Sequence, residues 1–172
     1  MNAVLNSKEI KKLLIKQNPP LIENYIDLEQ QLQSNGFDLT VQKVEALLEK
    51  GEIAFENTQR KIPRGEKLEF DGNDWLFLPR GCYRIILNEV VNIPNNLIAI
   101  GKPRSSLIRC GATIETAFWD AGYSGRSEVL LVVFNEYGLK LKRNARIMQL
   151  IFLRIDEVEK GYSGIYQREH IN

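Results

Sequence analysis

Short apolar or alternating runs, separated by Gly, Pro and Asn, follow one another along most of the chain from Leu39 onward. Runs of this length between turn residues are typical of antiparallel strands. The pattern therefore predicts a mostly β protein folded as a barrel or a sandwich. The predicted strands cover residues 53–55, 75–78, 83–87, 97–100, 129–134 and 147–155.

The N-terminal segment has a different period. Ser7 precedes Ile10, Leu13 and Leu14, a spacing that puts the three apolar side chains on one face of a helix. Serine is a favoured helix cap, and two consecutive prolines end the pattern. An amphipathic helix is therefore predicted over about residues 7–17, packed on the outside of the sheet.

Residues 41–50 fit two patterns. They can continue a strand, or they can form a helix with Val44, Leu47 and Leu48 on one face and Gly51 as its C-cap. The hydrophobic spacing supports both, and the two interpretations stay open at this stage.

The chain is long enough for one core and too short for two independent domains, since it has 172 residues of which 44% are hydrophobic. A single domain over residues 1–172 is predicted. Its last dozen residues, 161–172, are polar and glycine-bearing, which indicates a flexible C-terminal tail.

The charges almost cancel, with 23 basic and 22 acidic residues, so no broad positive field is available to hold a nucleic-acid backbone. A nucleic-acid or membrane partner is not expected. Cys82 and Cys110 have no metal-ligand or redox spacing, and no signal peptide or membrane-spanning run accompanies them, so a cytoplasmic protein with reduced thiols is predicted. Because the sequence has a single histidine, His170, the commonest zinc sites are not expected. Magnesium carried on phosphate is compatible with the carboxylates present.

The densest group of candidate binding residues lies in the segment 103–109, after an apolar strand. Ser105 could cap a short helix, and its free N–H groups, with Arg104 and the Ser106 hydroxyl, would surround a phosphate chain. The alternative is a capped surface helix carrying two ordinary arginines, Arg104 and Arg109.

A second candidate site is the segment 117–125, in which Asp120 ends an apolar run and two glycines flank Tyr123. A tight hairpin of this kind can bring backbone groups against a base edge while the tyrosine ring packs against a sugar. The aspartate could orient or deprotonate a water. The alternative is an ordinary hairpin in which Asp120 is a turn residue and Tyr123 belongs to the core.

Two further segments carry candidate residues. Asp38 follows a glycine at a strand start and could hold a hydrated metal ion or cap a turn. Arg146 and Gln149 flank the start of a strand whose other residues are apolar, and an amide in such a strand needs hydrogen-bond partners. Gln149 is therefore a candidate functional residue.

Taken together and in this order, these segments resemble the four motifs of the dUTPase and dCTP deaminase superfamily. The matching segments are 36–39, 103–107, 120–125 and 146–150. The Arg-Ser-Ser form of the second motif, the extra Arg109, the N-terminal helix and the tail segment 162–167 are most similar to the archaeal dUTPases. The resemblance implies a distorted, jelly-roll-like β-barrel with a short helix after Arg-Ser-Ser.

The resemblance also separates two reactions. Deaminases of this superfamily carry a glutamate after the third motif, at a position that corresponds to Val132, or to Leu130 in an alternative alignment. Neither side chain can carry a proton. Glu128 does not fall at the position of the deaminase glutamate in either alignment. The sequence therefore favours release of pyrophosphate from dUTP over deamination of dCTP, while a dCTP deaminase, a bifunctional enzyme and a non-catalytic nucleotide-binding scaffold remain the rivals.

The resemblance assigns roles to individual residues. It implies that Arg104, Ser105, Ser106 and Arg109 hold phosphates, that Asp38 binds hydrated Mg²⁺ or places the water, and that Asp120 orients the water or the 3′-hydroxyl. Base and sugar would meet Ala117, Phe118, Trp119 and Tyr123, with Gln149 near phosphate and Tyr162, Tyr166 and Gln167 in a closing tail. A homotrimer with its sites between subunits is implied as well.

Overall fold

Residues 3–171, which the computed structural model describes, form three short α-helices and thirteen strands. The helices are α1 (Ser7–Lys16), α2 (Leu28–Gln31) and α3 (Ser105–Arg109), with a 3₁₀ turn at Asn57–Gln59. The first seven strands are β1 (Ile22–Glu23), β2 (Leu32–Gln33), β3 (Gly36–Leu47), β4 (Gly65–Leu68), β5 (Trp75–Leu78), β6 (Gly81–Leu87) and β7 (Val90–Asn92). The others are β8 (Leu97–Pro103), β9 (Ala112–Glu115), β10 (Ser124–Gly125), β11 (Glu128–Val133), β12 (Leu139–Lys142) and β13 (Arg146–Arg154).

The main sheet runs in the order β8-β13-β3-β6-β11-β9, with β2 and β4 also paired to β3, and all of its pairs are antiparallel. Its two ends meet where Ala99 of β8 and Trp119, just beyond β9, exchange backbone hydrogen bonds of 3.0 and 3.1 Å. This contact nearly closes the sheet into a barrel. The predicted fold class, a mostly β barrel with few helices, is confirmed.

Strand alternation separates the core from the site. On β11, Val129, Leu131 and Val133 are buried in the hydrophobic core, while the residues between them are only half-buried. Successive strand side chains point to opposite faces, so Glu128 and Leu130 share the other face. That face forms one wall of the cavity described below.

Helix α1 matches its predicted span to within a residue, but its cap was predicted wrongly. The N-cap is Asn6, whose side chain accepts from the Glu9 N–H at 3.1 Å while the Glu9 carboxylate accepts from the Asn6 N–H at 3.0 Å. This reciprocal pair satisfies two free backbone donors, which a serine one residue later could not do from inside the helix. Ile10 and Leu14 are buried in the core, as the helical spacing predicts.

The structure decides between the two interpretations of residues 41–50. The segment continues β3 as a strand to Leu47, paired on one side with β6 and on the other with β4. A register shift between Val41 and Lys43 keeps Val41 and Val44 buried, so these two valines reach the core without helical spacing, whereas Leu47 and Leu48 are exposed.

The predicted strand at 53–55 is wrong. Its residues lie in an irregular loop between β3 and β4, where Ile53 is 82% exposed and Phe55 is fully exposed. A short apolar run predicts a strand only when a neighbour is available to pair with it, and here the single bridge of the loop joins Glu52 to Lys61. Among residues 3–171, no helix has the length and apolar character required to cross a bilayer.

Candidate active site

A cavity of about 580 Å³ opens along the exposed face of β11. Its lining is mainly apolar and aromatic, with one guanidinium and four carboxylates among the polar groups. Seven residues predicted to act on the nucleotide line it, namely Ala117, Phe118, Trp119, Asp120, Tyr123, Tyr162 and Tyr166. The structure therefore brings the third motif and the tail together in one site.

The third motif forms a tight turn at the cavity wall. The Tyr123 N–H donates to the Asp120 carbonyl at 3.1 Å, and Gly122 has a φ of +83°. The Asp120 side chain is exposed and makes no hydrogen bond or ion pair with any other residue in the range 3–171. Its carboxylate is therefore available at the cavity, and only its backbone serves the turn.

Gly122 is required for two independent reasons. Its left-handed φ favours glycine, and a Cβ at this position would lie 2.6 Å from Gly161 Cα and 2.9 Å from the Tyr162 nitrogen. The Tyr162 N–H also donates to the Ala121 carbonyl at 2.7 Å. The tail backbone therefore packs directly on the turn that presents Asp120.

Tyr123 is both a core residue and a cavity residue. It is 6% exposed and belongs to the hydrophobic core, yet it also lines the cavity. Its hydroxyl lies 2.9 Å from Ser127 Oγ and donates to Glu169 Oε1 at 2.7 Å, while Trp119 Nε1 donates to Ser127 Oγ at 2.8 Å. Burial raises the pKa of Tyr123 far above its usual value, so the phenol keeps its proton.

The tail lies against the hairpin through a series of polar contacts. Gln167 accepts from the Ser124 N–H through Oε1 and donates to the Gly122 carbonyl through Nε2, both at 2.8 Å. The Arg168 N–H donates to the Ser124 carbonyl at 2.7 Å. Gln167 is not among the residues that line the cavity, so its contacts fix the tail against the protein.

The charged residues of the first, second and fourth motifs meet at a different place. Asp38 is 1% exposed, and its Oδ2 lies 3.0 Å from Arg104 Nε and 3.5 Å from an Arg146 nitrogen. Gln33 Nε2 also donates to this oxygen at 3.3 Å. Burial raises the pKa of Asp38, and the two guanidiniums oppose that shift.

A buried polar network holds β3 beside this cluster. Gln31 Nε2 donates to the Asp38 carbonyl at 2.9 Å and to Glu89 Oε1 at 2.7 Å. Glu89 also accepts from the N–H and the hydroxyl of Thr40, at 2.9 and 2.6 Å. Burial raises the pKa of Glu89, which has no exposed surface. These contacts fix the strand that carries Asp38.

Ser105 does not cap α3, contrary to the prediction. The N-cap is Arg104, whose side chain makes no capping bond because it turns to Asp38. Ser105, Ser106 and Arg109 all lie on the exposed side of the helix, and only Leu107 is buried. The second motif thus presents two hydroxyls and one guanidinium to the surface.

Gln149 pairs with Asp38 across β3 and β13, so its side chain lies on the same face of the sheet as the carboxylate. Its amide packs against Gly36, where a Cβ would lie 2.7 Å from Gln149 Nε2. It borders a separate hollow next to Gln33 and Asn35, outside the aromatic cavity. The structure therefore places Gln149 with the first motif.

Within one chain, none of Asp38, Arg104, Ser105, Ser106, Arg109 and Gln149 lines the aromatic cavity. Another hollow lies between the second motif and the cavity. Lys102 and Pro103 at the end of β8 line it, and it shares Glu115, Ala117 and Phe118 with the cavity. The second motif therefore begins beside the cavity, while the side chains predicted to bind phosphate face elsewhere.

Several cavity residues were not predicted from the sequence. They are Leu47, Ile62, Pro63, Arg84, Glu115, Ser127, Val129 and Glu169. Strand alternation places Ser127 and Val129 on the core side, opposite Glu128 and Leu130, so the sequence pattern does not predict that they line the cavity. Glu169 carries no motif or period, and only the folded tail brings it to Tyr123.

The position that separates the two reactions is also visible. Leu130 lines the cavity, whereas Val132 is not among its lining residues. Glu128 lines the cavity although it does not fall at the position of the deaminase glutamate, and its carboxylate lies 3.3 Å from Arg84 Nε and 2.9 Å from His170 Nε2. Glu115 pairs with Leu130 across β9 and β11.

The residues present suit a metal ion that arrives with its substrate. In the described part of the chain, no three His, Cys, Asp or Glu side chains are grouped as a metal cage. Magnesium bound through nucleotide phosphates needs only one or two protein carboxylates and keeps several waters. Because the contacts to the Asp38 carboxylate all reach Oδ2, Oδ1 could accept from a metal-bound water.

Comparison with known proteins defines the class. The model of the dCTP deaminase-like family matches residues 4–155. The chain belongs to this family. A crystal structure of 2′-deoxycytidine 5′-triphosphate deaminase from Agrobacterium tumefaciens has the same fold, with a TM-score of 0.68 at 18% identity over 88% of this chain. The match spans 48% of the deaminase chain, about half its length.

Within the family, the chain is similar to several archaeal proteins of one name. It is 57% identical to the probable deoxyuridine 5′-triphosphate nucleotidohydrolase of Methanosarcina mazei, over 99% of both chains. The protein of that name from Archaeoglobus fulgidus is 52% identical over 99% of both chains. The deoxyuridine 5′-triphosphate nucleotidohydrolase of Methanocaldococcus jannaschii is 38% identical over 81% of this chain and 88% of its own.

Proposed function

We propose that the protein is a dUTP diphosphatase that hydrolyses dUTP to dUMP and pyrophosphate, which limits uracil in DNA and supplies dUMP for thymidylate synthesis. The observation that carries the proposal is the free Asp120 carboxylate on a tight turn that lines an aromatic cavity. The nearly full-length relatives named as deoxyuridine 5′-triphosphate nucleotidohydrolases support the choice of nucleotide.

In the proposed reaction, water attacks the α-phosphorus and the bond from that phosphorus to the bridging oxygen breaks. Pyrophosphate leaves with the bond's electron pair, and the water proton passes to a carboxylate. Asp120 is placed to accept that proton or to orient the water, because its side chain is exposed at the cavity and has no competing partner among residues 3–171. Backbone groups around Phe118 would read uracil, and the Tyr123 ring would lie against the deoxyribose.

Charge that develops on the phosphate oxygens needs positive groups already in place. Ser105, Ser106 and Arg109 face outward on α3 and would supply hydrogen-bond donors and one positive charge. Arg104 would act from the edge of the buried cluster. Mg²⁺ bound to the triphosphate would neutralise the same oxygens, and Asp38 Oδ1 would contact its hydration shell.

A homotrimer would explain why phosphate-binding and base-binding residues are separate within one chain. In that arrangement, the second motif of one subunit faces the aromatic cavity of the next. Mixing Asp120→Asn subunits with Arg109→Ala subunits tests this proposal, since a shared site regains activity in mixed trimers. Activity no higher than the two separate variants would contradict shared sites, and light scattering gives the subunit number.

The deciding assay incubates the purified protein with dUTP and with dCTP, each with magnesium, and measures pyrophosphate and ammonia. Pyrophosphate from dUTP without ammonia from dCTP is the expected result. Absence of both products with both substrates would overturn the proposal and favour a nucleotide-binding scaffold.

One observation keeps deamination of dCTP as a second candidate. Glu128 and Glu115 both line the cavity, so carboxylates would lie near the proposed base site even though Leu130 does not supply one. Glu128 is already engaged by Arg84 and His170, which makes it a poor proton carrier. Ammonia from dCTP that is lost in Glu115→Gln would establish this second activity.

A further inference from the structure

We propose that Glu169 and Ser127 are positioning residues, which fix the aromatic wall of the cavity through a one-directional hydrogen-bond chain closed by the C-terminal tail. The chain runs from Trp119 Nε1 through Ser127 Oγ and the Tyr123 hydroxyl to Glu169 Oε1. Its effect on turnover rests on the proposed function. Its effect on Trp119 can be measured without nucleotide.

The chemistry of the two ends fixes the direction of every proton. An indole N–H can only donate, and a carboxylate can only accept. Ser127 therefore accepts from Trp119 and donates to Tyr123, and Tyr123 donates to Glu169. The three distances, 2.8, 2.9 and 2.7 Å, are all those of good hydrogen bonds.

Burial makes each bond matter. Trp119, Ser127 and Tyr123 are 4%, 5% and 6% exposed, so water cannot replace a lost partner without opening the packing. Hydrogen bonds in a chain also polarise one another where solvent is excluded. Removal of the last acceptor is therefore expected to affect the first ring.

The two ends of the chain are held by different parts of the fold. Trp119 is bound through its backbone to Ala99, at the closure of the barrel. Glu169 belongs to the tail and is held against the rest of the protein by its carbonyl, which accepts from the Arg126 N–H at 2.9 Å. Docking of the tail thus completes a link that begins in the barrel wall, and the Tyr162 ring packs edge-on against Tyr123 beside it.

The consequence concerns what the tail does. It need not touch the nucleotide to influence binding, because a docked Glu169 fixes the hydroxyl and ring of Tyr123, and through Ser127 the indole of Trp119. Loss of the acceptor should weaken binding of substrate more than it slows the chemical step, since Asp120 is not part of the chain.

The protein contains two tryptophans, Trp75 and Trp119, so Trp75→Phe leaves Trp119 as the only indole. In this background, Ser127→Ala and Glu169→Ala are expected to shift the Trp119 emission maximum in the nucleotide-free protein, the first more than the second. Glu159→Ala, which changes an exposed glutamate ahead of the tail, is the matched control and should leave the emission unchanged.

With dUTP, Glu169→Ala should raise KM about five- to tenfold and change kcat by less than about twofold, the effect expected from one lost hydrogen bond. Glu169→Gln keeps an acceptor oxygen and should restore both KM and emission. Unaltered emission in Ser127→Ala and Glu169→Ala, or a Glu169→Gln variant as defective as the alanine, would overturn the proposal.

A double-mutant cycle guards against a general packing defect. Tyr123→Phe removes the hydroxyl but keeps the ring, so combining it with Glu169→Ala should add little to either single change in emission or KM. Fully additive effects would show that the two groups act separately and would contradict the chain. If Ser127→Ala and Glu169→Ala shift the Trp119 emission but the protein does not hydrolyse dUTP, the hydrogen-bond chain is supported and the proposed function is refuted.

Discussion

The Asp38 cluster and the aromatic cavity hold their polar groups in opposite ways. Asp38, Arg104 and Arg146 are charged, come from regular strands or their ends, and contact one another within the main sheet. The cavity depends on the hydrogen bonds of the Tyr123 hydroxyl to Ser127 and Glu169 and on a tail without regular secondary structure. One region is built by the barrel alone, and the other is completed by the last residues of the chain.

This difference indicates that the two regions contribute differently to stability and to activity. A cluster inside the sheet can stay in place whether or not nucleotide is bound, whereas a wall finished by a tail can change with tail docking. Variants in the cluster should therefore affect stability as well as activity. Variants in the cavity should affect activity while the barrel remains folded.

The largest expected effect tests the cavity. Asp120→Asn should reduce kcat for dUTP at least about a hundredfold, the typical contribution of a positioned acid or base. Because the Asp120 side chain is exposed and has no partner within residues 3–171, the thermal unfolding midpoint should not change. Steady-state kinetics and calorimetry give the two measurements, and activity within twofold of the wild type would remove Asp120 from the mechanism.

The next effect tests the cluster. Arg104→Gln leaves the buried Asp38 with one guanidinium, and the free energy of unfolding should fall by roughly 2 kcal/mol, less than for a fully buried pair. Arg109→Gln is the matched control, since Arg109 is exposed and makes no ion pair in the described residues. Both variants should lose activity with dUTP.

Urea denaturation of both arginine variants then separates the two regions. If Arg104→Gln proved as stable as Arg109→Gln, the cluster would contribute binding groups without supporting the barrel, and the contrast between the regions would fail.

How far the sequence predicts each region follows from the same contrast. Strand β5 lies where the pattern predicts it, because Leu78 and its neighbours are followed by a turn and have β12 to pair with. The run at 53–55 is also apolar but has no partner strand, which only the fold reveals. Asp38 and Asp120 were found through motifs, while their separation within one chain depends on three-dimensional placement.

The side chains that complete the cavity were the hardest to predict. Glu169 lies 46 residues from Tyr123 along the chain, in a polar segment without periodicity. Nothing local determines which tail residue meets the hydroxyl, since the contact depends on the path of the tail over Gly122. Ser127 alternates with the core-facing residues of β11, so the pattern predicts its burial but not its contact with Tyr123.

A smaller effect tests how the cavity depends on the tail. Deleting residues from Tyr162 onward removes the contacts of Gln167 and Glu169, so KM for dUTP should rise about tenfold or more. The unfolding midpoint should change little because the barrel strands all end before this segment. An unchanged KM and kcat would make the tail a bystander and would show that the cavity, like the cluster, is built by the barrel alone.

The smallest effect concerns the balance of forces on Asp38. Burial raises the pKa of its carboxyl in the folded protein above its usual value, so the folded state holds the proton more tightly than the unfolded chain does. Stability from this group is then fully present below the unfolded pKa and is lost as pH rises through the folded pKa. The unfolding free energy of the wild type, relative to Asp38→Asn, should therefore decrease across that window.

The sign of this slope decides which force dominates in the cluster. If Arg104 and Arg146 outweighed burial, the folded pKa would lie below 3.8, and the same difference would increase with pH instead. Urea titrations of wild type and Asp38→Asn at several pH values from about 3 to 7, a range that brackets ordinary carboxyl pKa values, measure the slope directly. A decrease would mean that the barrel holds a carboxylate it does not favour, which is reasonable for a group that a bound, positively charged metal would stabilise.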